Sequence, residues 1–478
     1  MDATANRGRL FFGSCAAVAA LAFSFATLSG VMFQLKGVFL LDNAQIGLIG
    51  GAGLWGMALS QVGFSSLVDV FGMRLLLRLA FLGHVAGIAL FVTATGFSSL
   101  FIAALVTAVA NGVIEAVCNP LVATLYPERK AGMLNRLHLW FPGGVALGGL
   151  CVWGLGLIHA DWRAQMLIGL VPALLYAAVF LRETFPKSEA AQSGATLMAT
   201  VRAVFTTPLL WGFLLLMAVT MSLELGPNRW IPSVLQSGGL PGILVLVLIN
   251  GVMAVMRANA HSILSRASPP VLLMLGTGVA GIGLLALSFS SGLAASVASA
   301  LIFAVGISVV WPTMMGFVSE RAPATGALGL GLMAAAGSLA VGVVTTPLLG
   351  RIADDHLAAA AEAGRVQAVA SQVTAAPGVD PKLAGMAREV SSSASPPPVT
   401  GDFLRRAAAG EAGPAAATQA TPVLNAAENR SGLLSFRYLV PFAFLVSLLF
   451  GAVVVWDRRS GGYAAQVERA RLNPGLPS

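Results

Sequence analysis

Apolar residues in this chain are not spread along one helical face. They come in unbroken blocks separated by short polar or charged turns. A helix rises about 1.5 Å per residue, so a block of roughly 20 residues matches the hydrocarbon thickness of a bilayer. Read this way, the chain has about twelve spans, at residues 11–34, 46–68, 74–96, 98–125, 133–157, 164–183, 208–236, 240–262, 270–290, 293–317, 325–350 and 434–456. The pattern predicts an all-α polytopic membrane protein. Composition agrees: hydrophobic residues are 57% of the chain, charged residues 10%, and the mean hydropathy is +0.83, more apolar surface than one soluble core can hide. The first block follows Arg7 and Arg9 as a signal peptide would, but no small-residue cleavage site leading to a soluble domain follows, so a retained helix is expected.

The blocks divide into two sets of six: an N-terminal half over 1–183 and a C-terminal half over 204–456. A polar connector, 184–203, joins them, and 457–478 forms a tail. Such a division suggests internal duplication with the functional cavity between the halves. Residues 354–430, which include SSSASPPPVTG, are rich in Ala, Pro, Ser and Gly. They contain few large apolar residues, and the expectation is a low-complexity external loop that cannot fold alone, either disordered or a dedicated attachment.

A formal charge of +8 would suggest nucleic acid in a soluble protein. Here the cations orient the chain instead, and no nucleic-acid partner is expected. One set of loops carries Arg7, Arg9, Arg74, Arg129, Lys130, Arg136, Arg182, Lys187, Arg202, Arg266, Arg321, Arg458, Arg459, Arg469 and Arg471. The other carries only Lys36, Arg163 and Arg229. The asymmetry places both termini in the cytoplasm of a protein expected in a bacterial inner membrane. Cys15, Cys118 and Cys151 fall in apolar blocks without metal-ligand spacing and read as buried small residues.

The chemistry begins with Glu115. It stands inside the apolar run Leu100–Leu125, where an ionised group is costly unless it faces water, a partner or a substrate. Asn111, Glu115 and Asn119 stand at i, i+4 and i+8, one stripe on a helix, and amides flanking a carboxylate suit a polyhydroxylated ligand. Interhelical hydrogen bonding and ion pairing are the structural alternatives. A second carboxylate, Glu224, lies in TMSLELGPNRWIP with Asn228 near the same face, and Gly226 and Pro227 are expected to interrupt that helix. Arg229 reads as a structural partner or an outer-gate charge. Asn250 is a further polar candidate. Trp140, Trp230 and Trp311 could stack on sugar rings or anchor the interface, and Trp311 before Pro312 is the best placed. His138 is a weak site candidate, whereas His84, His159, His261 and His356 read as structural or solvated.

Two stretches carry a family resemblance. DVFGMR, with Asp69, Gly72 and Arg74, resembles the cytoplasmic loop motif of the major facilitator superfamily, although Ser65 stands at its first Gly. NGVIEAVCNPLVATLYPERKAGMLNRLH resembles the fucose and glucose/galactose permease group at Gly112, Glu115, Asn119, Pro120, Leu134, Asn135 and His138. MRANAHSILSRASP adds Arg257, Arg266 and Pro269 at that group's spacing. The resemblance implies a twelve-helix fold and alternating access, with Asp69, Gly72, Arg74 and Arg257 as a conformational latch. This chain departs from the group in its first span, where SGVMFQLKGVF offers Gln34 and no acid.

The expected activity is secondary transport of a small polar solute, a sugar-like molecule, by a monomer in the lipid bilayer, with protons as the coupling ion and Glu115 as their carrier. Efflux of amphiphilic compounds or lipids is the alternative, ahead of a membrane-embedded transferase or a nontransporting sensor. There is no phosphate-cradling Gly-rich loop with its Lys and no paired metal ligand, so no enzyme activity, cofactor or direct ATP drive is expected.

Overall fold

The computed structural model describes residues 6–65, 67–126, 130–186, 202, 204–264, 266–322 and 325–472, and among these all regular structure is helical. In hydrocarbon a backbone must satisfy its own hydrogen bonds, which leaves an apolar block little choice but a helix. Among the described residues eleven helices are long and apolar enough to cross a membrane: Arg7–Phe39, Asn43–Phe64, Met73–Val92, Phe97–Leu125, Gly132–Leu157, Trp162–Phe180, Pro208–Ser237, Pro269–Ser288, Gly292–Arg321, Leu328–Ala360 and Pro414–Arg459. Gly242–Ala258 is shorter and equally apolar, which makes twelve. They are called spans 1 to 12 in chain order. Several outrun their apolar blocks. Span 1, for example, begins at an Asn6 side chain that accepts from the Arg9 N–H at 3.0 Å and ends where Leu40 turns left-handed, with φ 53°.

Spans 1–6 and 7–12 pack as two groups, which meet where span 1 touches span 7, span 2 touches span 11 and span 5 touches span 8. The face carrying the described ends of the chain is called the termini face. At the opposite face spans 2 and 11 approach so closely that a Cβ on Gly51 would lie 2.1 Å from the Gly342 carbonyl oxygen, and one on Gly350 2.1 Å from that of Asn43. Span 11 relaxes into a π-helical turn at Ala340–Thr345 beside this contact.

Span 7 corrects one expectation. Gly226 and Pro227 do not interrupt it; the helix is continuous from Pro208 to Ser237 with Pro227 and Pro232 inside. Neighbouring helices can hold a proline-containing span in shape, and Gly226 serves packing, since a Cβ there would lie 2.8 Å from Thr345 Cγ2.

The stretch 354–430 corrects another. It is helical over Ala363–Ala375, Pro381–Ser392, Thr400–Ala408 and the first part of Pro414–Ser435. Val366, Val369 and Val373, then Leu383, Met386 and Val390, then Phe403 and Leu404 are buried together in a core of their own. Their three- and four-residue spacing is the amphipathic stripe of a surface helix, filled with Val and Ala rather than Leu. The segment is thus an ordered attachment, a helical cap seated on the face opposite the termini.

Candidate transport site

Glu115 of span 4 is partly accessible, and its carboxylate accepts from Asn119 Nδ2 at 2.9 Å. No ion pair to Glu115 occurs among the described residues. Gly112, one turn earlier, serves packing: a Cβ there would lie 1.9 Å from Ser60 Oγ and 2.3 Å from the Met57 carbonyl, so spans 2 and 4 close only on glycine. His138, where Lys130–His138 leads into span 5, lies within electrostatic range of both Glu115 and Arg257. Its ring meets Trp311 of span 10 with centroids 4.9 Å apart. The His138–Trp311 contact thus joins spans 5 and 10 across the interface, with Glu115 of span 4 and Arg257 of span 8 in electrostatic range of His138.

Span 7 adds a second layer. Glu224 pairs with Arg257 at 2.8 Å with both side chains almost fully buried, and Arg257 Nε also donates to the Ser308 carbonyl at 2.9 Å. Asn228 donates to the Glu224 carbonyl at 2.8 Å and accepts from Asn250 Nδ2 at 3.1 Å. Arg257 is therefore held by Glu224 of span 7 and the Ser308 carbonyl, away from the loop that the resemblance groups it with.

Other candidates lie elsewhere. Asn111 is 5% exposed and points away from the stripe: its Oδ1 accepts from His84 Nε2 at 2.8 Å and its Nδ2 donates to Ser24 Oγ at 3.0 Å, while His84 Nδ1 meets the Tyr176 hydroxyl at 3.2 Å. That network ties spans 1, 3, 4 and 6 together inside the N-terminal half. Gln34 of span 1 approaches Gln165 of span 6 at 3.5 Å. Trp140 is 39% exposed, and Trp230 is buried, donating to the Thr346 carbonyl at 3.1 Å. Cys15 and Cys118 are buried, but Cys151 is exposed.

At the loop after span 2, Gly72 adopts φ 77° between the short helix Val68–Phe71 and span 3. A residue with a side chain would be strained there. Arg74 donates to the Glu183 carbonyl at the end of span 6, and the Glu183 carboxylate pairs with Arg9 at 3.1 Å. Asp69 falls within that short helix, but its side chain lies outside the described residues, as do Arg129 and Lys187 altogether.

Two cations placed by sequence in loops are instead buried. Arg229, 2% exposed inside span 7, reaches across to span 1, donating to the Phe25 carbonyl at 3.0 Å and Ser29 Oγ at 3.2 Å, with its guanidinium 3.8 Å over the Phe25 ring. Lys36, 8% exposed, pairs with Glu428 at 2.6 Å. Neither partner was legible locally, because each contact joins residues hundreds of positions apart.

Solved structures share this architecture. A xylose transporter from E. coli in a partially occluded inward-open conformation is 14% identical, with a TM-score of 0.60 over 72% of this chain and 91% of that one. A bacterial homologue of the human lysosomal transporter Spinster is 16% identical, with 0.64 over 93% and 97%. A nucleoside transporter is 13% identical, with 0.64 over 93% and 99%. Residues 10–354 match the Major Facilitator Superfamily, and with twelve helices in two packed groups and a polar cluster between them, the chain belongs to that family of membrane transporters.

Proposed function

We propose that the protein carries a small polyhydroxylated solute, a sugar, by alternating access, and that Glu115 carries the coupling proton. The observation that supports this reading is the group around His138: a carboxylate paired, among the described residues, with an amide, an imidazole against an indole, and a guanidinium of the opposite half in electrostatic range. Asn119 and Glu115 offer donors and acceptors to hydroxyls, and Trp311 offers an apolar face to a pyranose ring. One structural relative is a D-xylose–proton symporter, which makes sugars the first class to test. The loop cations favour an orientation with the termini face in the cytoplasm and the cap outside.

A membrane-buried carboxylate without a cation is cheaper to enclose once protonated, so proton loading at Glu115 would lower the barrier to closing the cavity around it. Counterflow of labelled monosaccharides in proteoliposomes tests the substrate class. Glu115→Gln tests the coupling, with retained exchange and lost uphill uptake as the expected result. Unchanged, pH-dependent accumulation by Glu115→Gln would remove Glu115 from the coupling role. No counterflow with any monosaccharide, alongside saturable movement of an amphiphile, would replace the sugar reading with efflux.

A further inference from the structure

The cap is continuous with the C-terminal half at both ends, since span 11 leads into it and Pro414–Ser435 runs on into span 12. Its charges nevertheless reach the other half. Glu428 pairs with Lys36, at the end of span 1, at 2.6 Å, and Lys36 also donates to Asn43 Oδ1 at 2.7 Å. Asp354, at the end of span 11, accepts from Asn43 Nδ2 at 2.8 Å, from the Asn43 N–H at 3.3 Å and from the Ala44 N–H at 2.8 Å. A carboxylate is thereby seated on the N-terminus of span 2, where the helix dipole favours an anion. Arg405 of the cap stands between the two acids, 2.6 Å from Asp354 and 3.6 Å from Glu428. Burial works against its charge, but Asp354 and Glu428 outweigh that and hold the Arg405 pKa above the ordinary guanidinium value.

We propose that the helical insertion is a bolt for the gate on the cap face. It moves with the C-terminal half, and Glu428 and Asp354 engage Lys36, Asn43 and Ala44 of the N-terminal half when that face is closed. The network divides cleanly along the interface. Glu428–Lys36 and Asp354 with Asn43 and Ala44 cross from one half to the other, whereas Arg405–Asp354 and Arg405–Glu428 lie wholly on the C-terminal side. When the face opens, the two acids keep a shared cation instead of facing each other unpaired, and Lys36 enters water. Breaking the crossing contacts therefore strands no buried charge, as a reversible gate requires. The glycine contact of spans 2 and 11 lies directly beneath, so releasing the bolt frees the tightest backbone approach between the halves.

This inference rests on alternating access but not on the identity of the solute. The test is distance measurement between spin labels on full-length protein in nanodiscs, with Cys15, Cys118 and Cys151 replaced by Ala. Thr95→Cys and Ser291→Cys report the cap face, and Arg136→Cys and Arg459→Cys the termini face. Lys36→Gln and Glu428→Gln should each raise the open-to-closed ratio at the cap face by about tenfold or more, as expected when one partner of a buried charge pair is lost. Lys36→Arg should stay near wild type. Arg406→Gln, which breaks only pairs with Asp380 and Glu411 inside the cap, should leave the distances unchanged. If either Gln variant fails to fold, the other reads the same contact from its own side. Unchanged cap-face distances in the folded Gln variants would overturn the bolt, and so would an equal shift in Arg406→Gln. Opening at the cap face without closing at the termini face would uphold the bolt while refuting alternation itself.

Discussion

Glu224 and Arg257 provide the sharpest energetic test, because their geometry fixes what each deletion leaves behind. The pair is 2.8 Å apart, with Arg257 7% and Glu224 4% exposed. Arg257→Met removes the cation and abandons a carboxylate at membrane depth, a loss of about 3–5 kcal/mol for a broken buried pair. It also leaves the Ser308 carbonyl without its donor, about 1–3 kcal/mol if no other donor reaches it. Glu224→Met strands the guanidinium with that carbonyl alone. Replacing both residues by Met removes both charges together, and swapping a buried pair for apolar side chains is commonly close to neutral. The double variant should therefore be far more stable than the sum of the singles, with a coupling of at least about 2 kcal/mol. Reversible denaturation of the four proteins in mixed micelles measures it. Additivity within about 0.5 kcal/mol would show that the two groups do not depend on each other and would sink the reasoning. A stable double variant that no longer exchanges substrate would assign the pair to transport rather than to folding.

Three further outcomes follow from particular contacts. Gly112→Ala should cost about 1–3 kcal/mol, because the new methyl meets the Met57 carbonyl, while Gly212→Ala, with open space around it, should be neutral; equal thermal stability of the two would refute the packing role. Trp311→Ala should weaken sugar binding about threefold to tenfold in a titration, the worth of one aromatic face, and Trp140→Ala should leave it unchanged. In the cap, the Leu383 N–H, with the Arg406 guanidinium and the Lys382 N–H, holds the Asp380 carboxyl below its ordinary pKa. A depressed carboxylate stabilises above its unfolded pKa and loses that contribution as pH falls through the folded one. Asp380→Ala should therefore speed amide exchange over 381–392 at neutral pH, and the difference should shrink as pH falls below the ordinary aspartate range; a difference independent of pH would refute the assignment.

The spans were legible because a bilayer imposes a length and forbids unsatisfied backbone, so hydropathy alone located the twelve apolar helices, although spans 11 and 12 run well beyond their apolar blocks into the cap. The cap was not, because its stripe of Val366, Val369 and Val373 is built from residues too small to raise hydropathy, and Ser-Pro-Pro-Pro between two of its helices carries the signature of disorder. Pro227 misled for a related reason. A proline removes one donor, but whether a helix breaks there depends on neighbours that no local window contains. Spacing was a fair guide along one helix: Glu115 and Asn119 do meet at i and i+4. It failed to separate the two faces of span 4, where Asn111 turns to His84 and Ser24 within its own half.

What decides the chemistry of a charge at membrane depth is its partner, and partners are tertiary facts. Glu115 and Glu224 look alike in sequence, each an acid in an apolar helix with an asparagine four residues on. Among the described residues the fold gives Glu224 a guanidinium at 2.8 Å and gives Glu115 an amide at 2.9 Å and no cation. Arg229 is the converse, a cation whose charge is met by a carbonyl, a hydroxyl and an aromatic face rather than by an acid. A paired acid can stay ionised through a closing movement because its charge is already balanced. An acid paired only to an amide must gain a proton, a cation or a substrate before the cavity shuts around it. That difference is the physical ground for the proposed coupling role of Glu115. Glu224 in turn holds Arg257 at 2.8 Å, and both Glu115 and Arg257 lie within electrostatic range of His138.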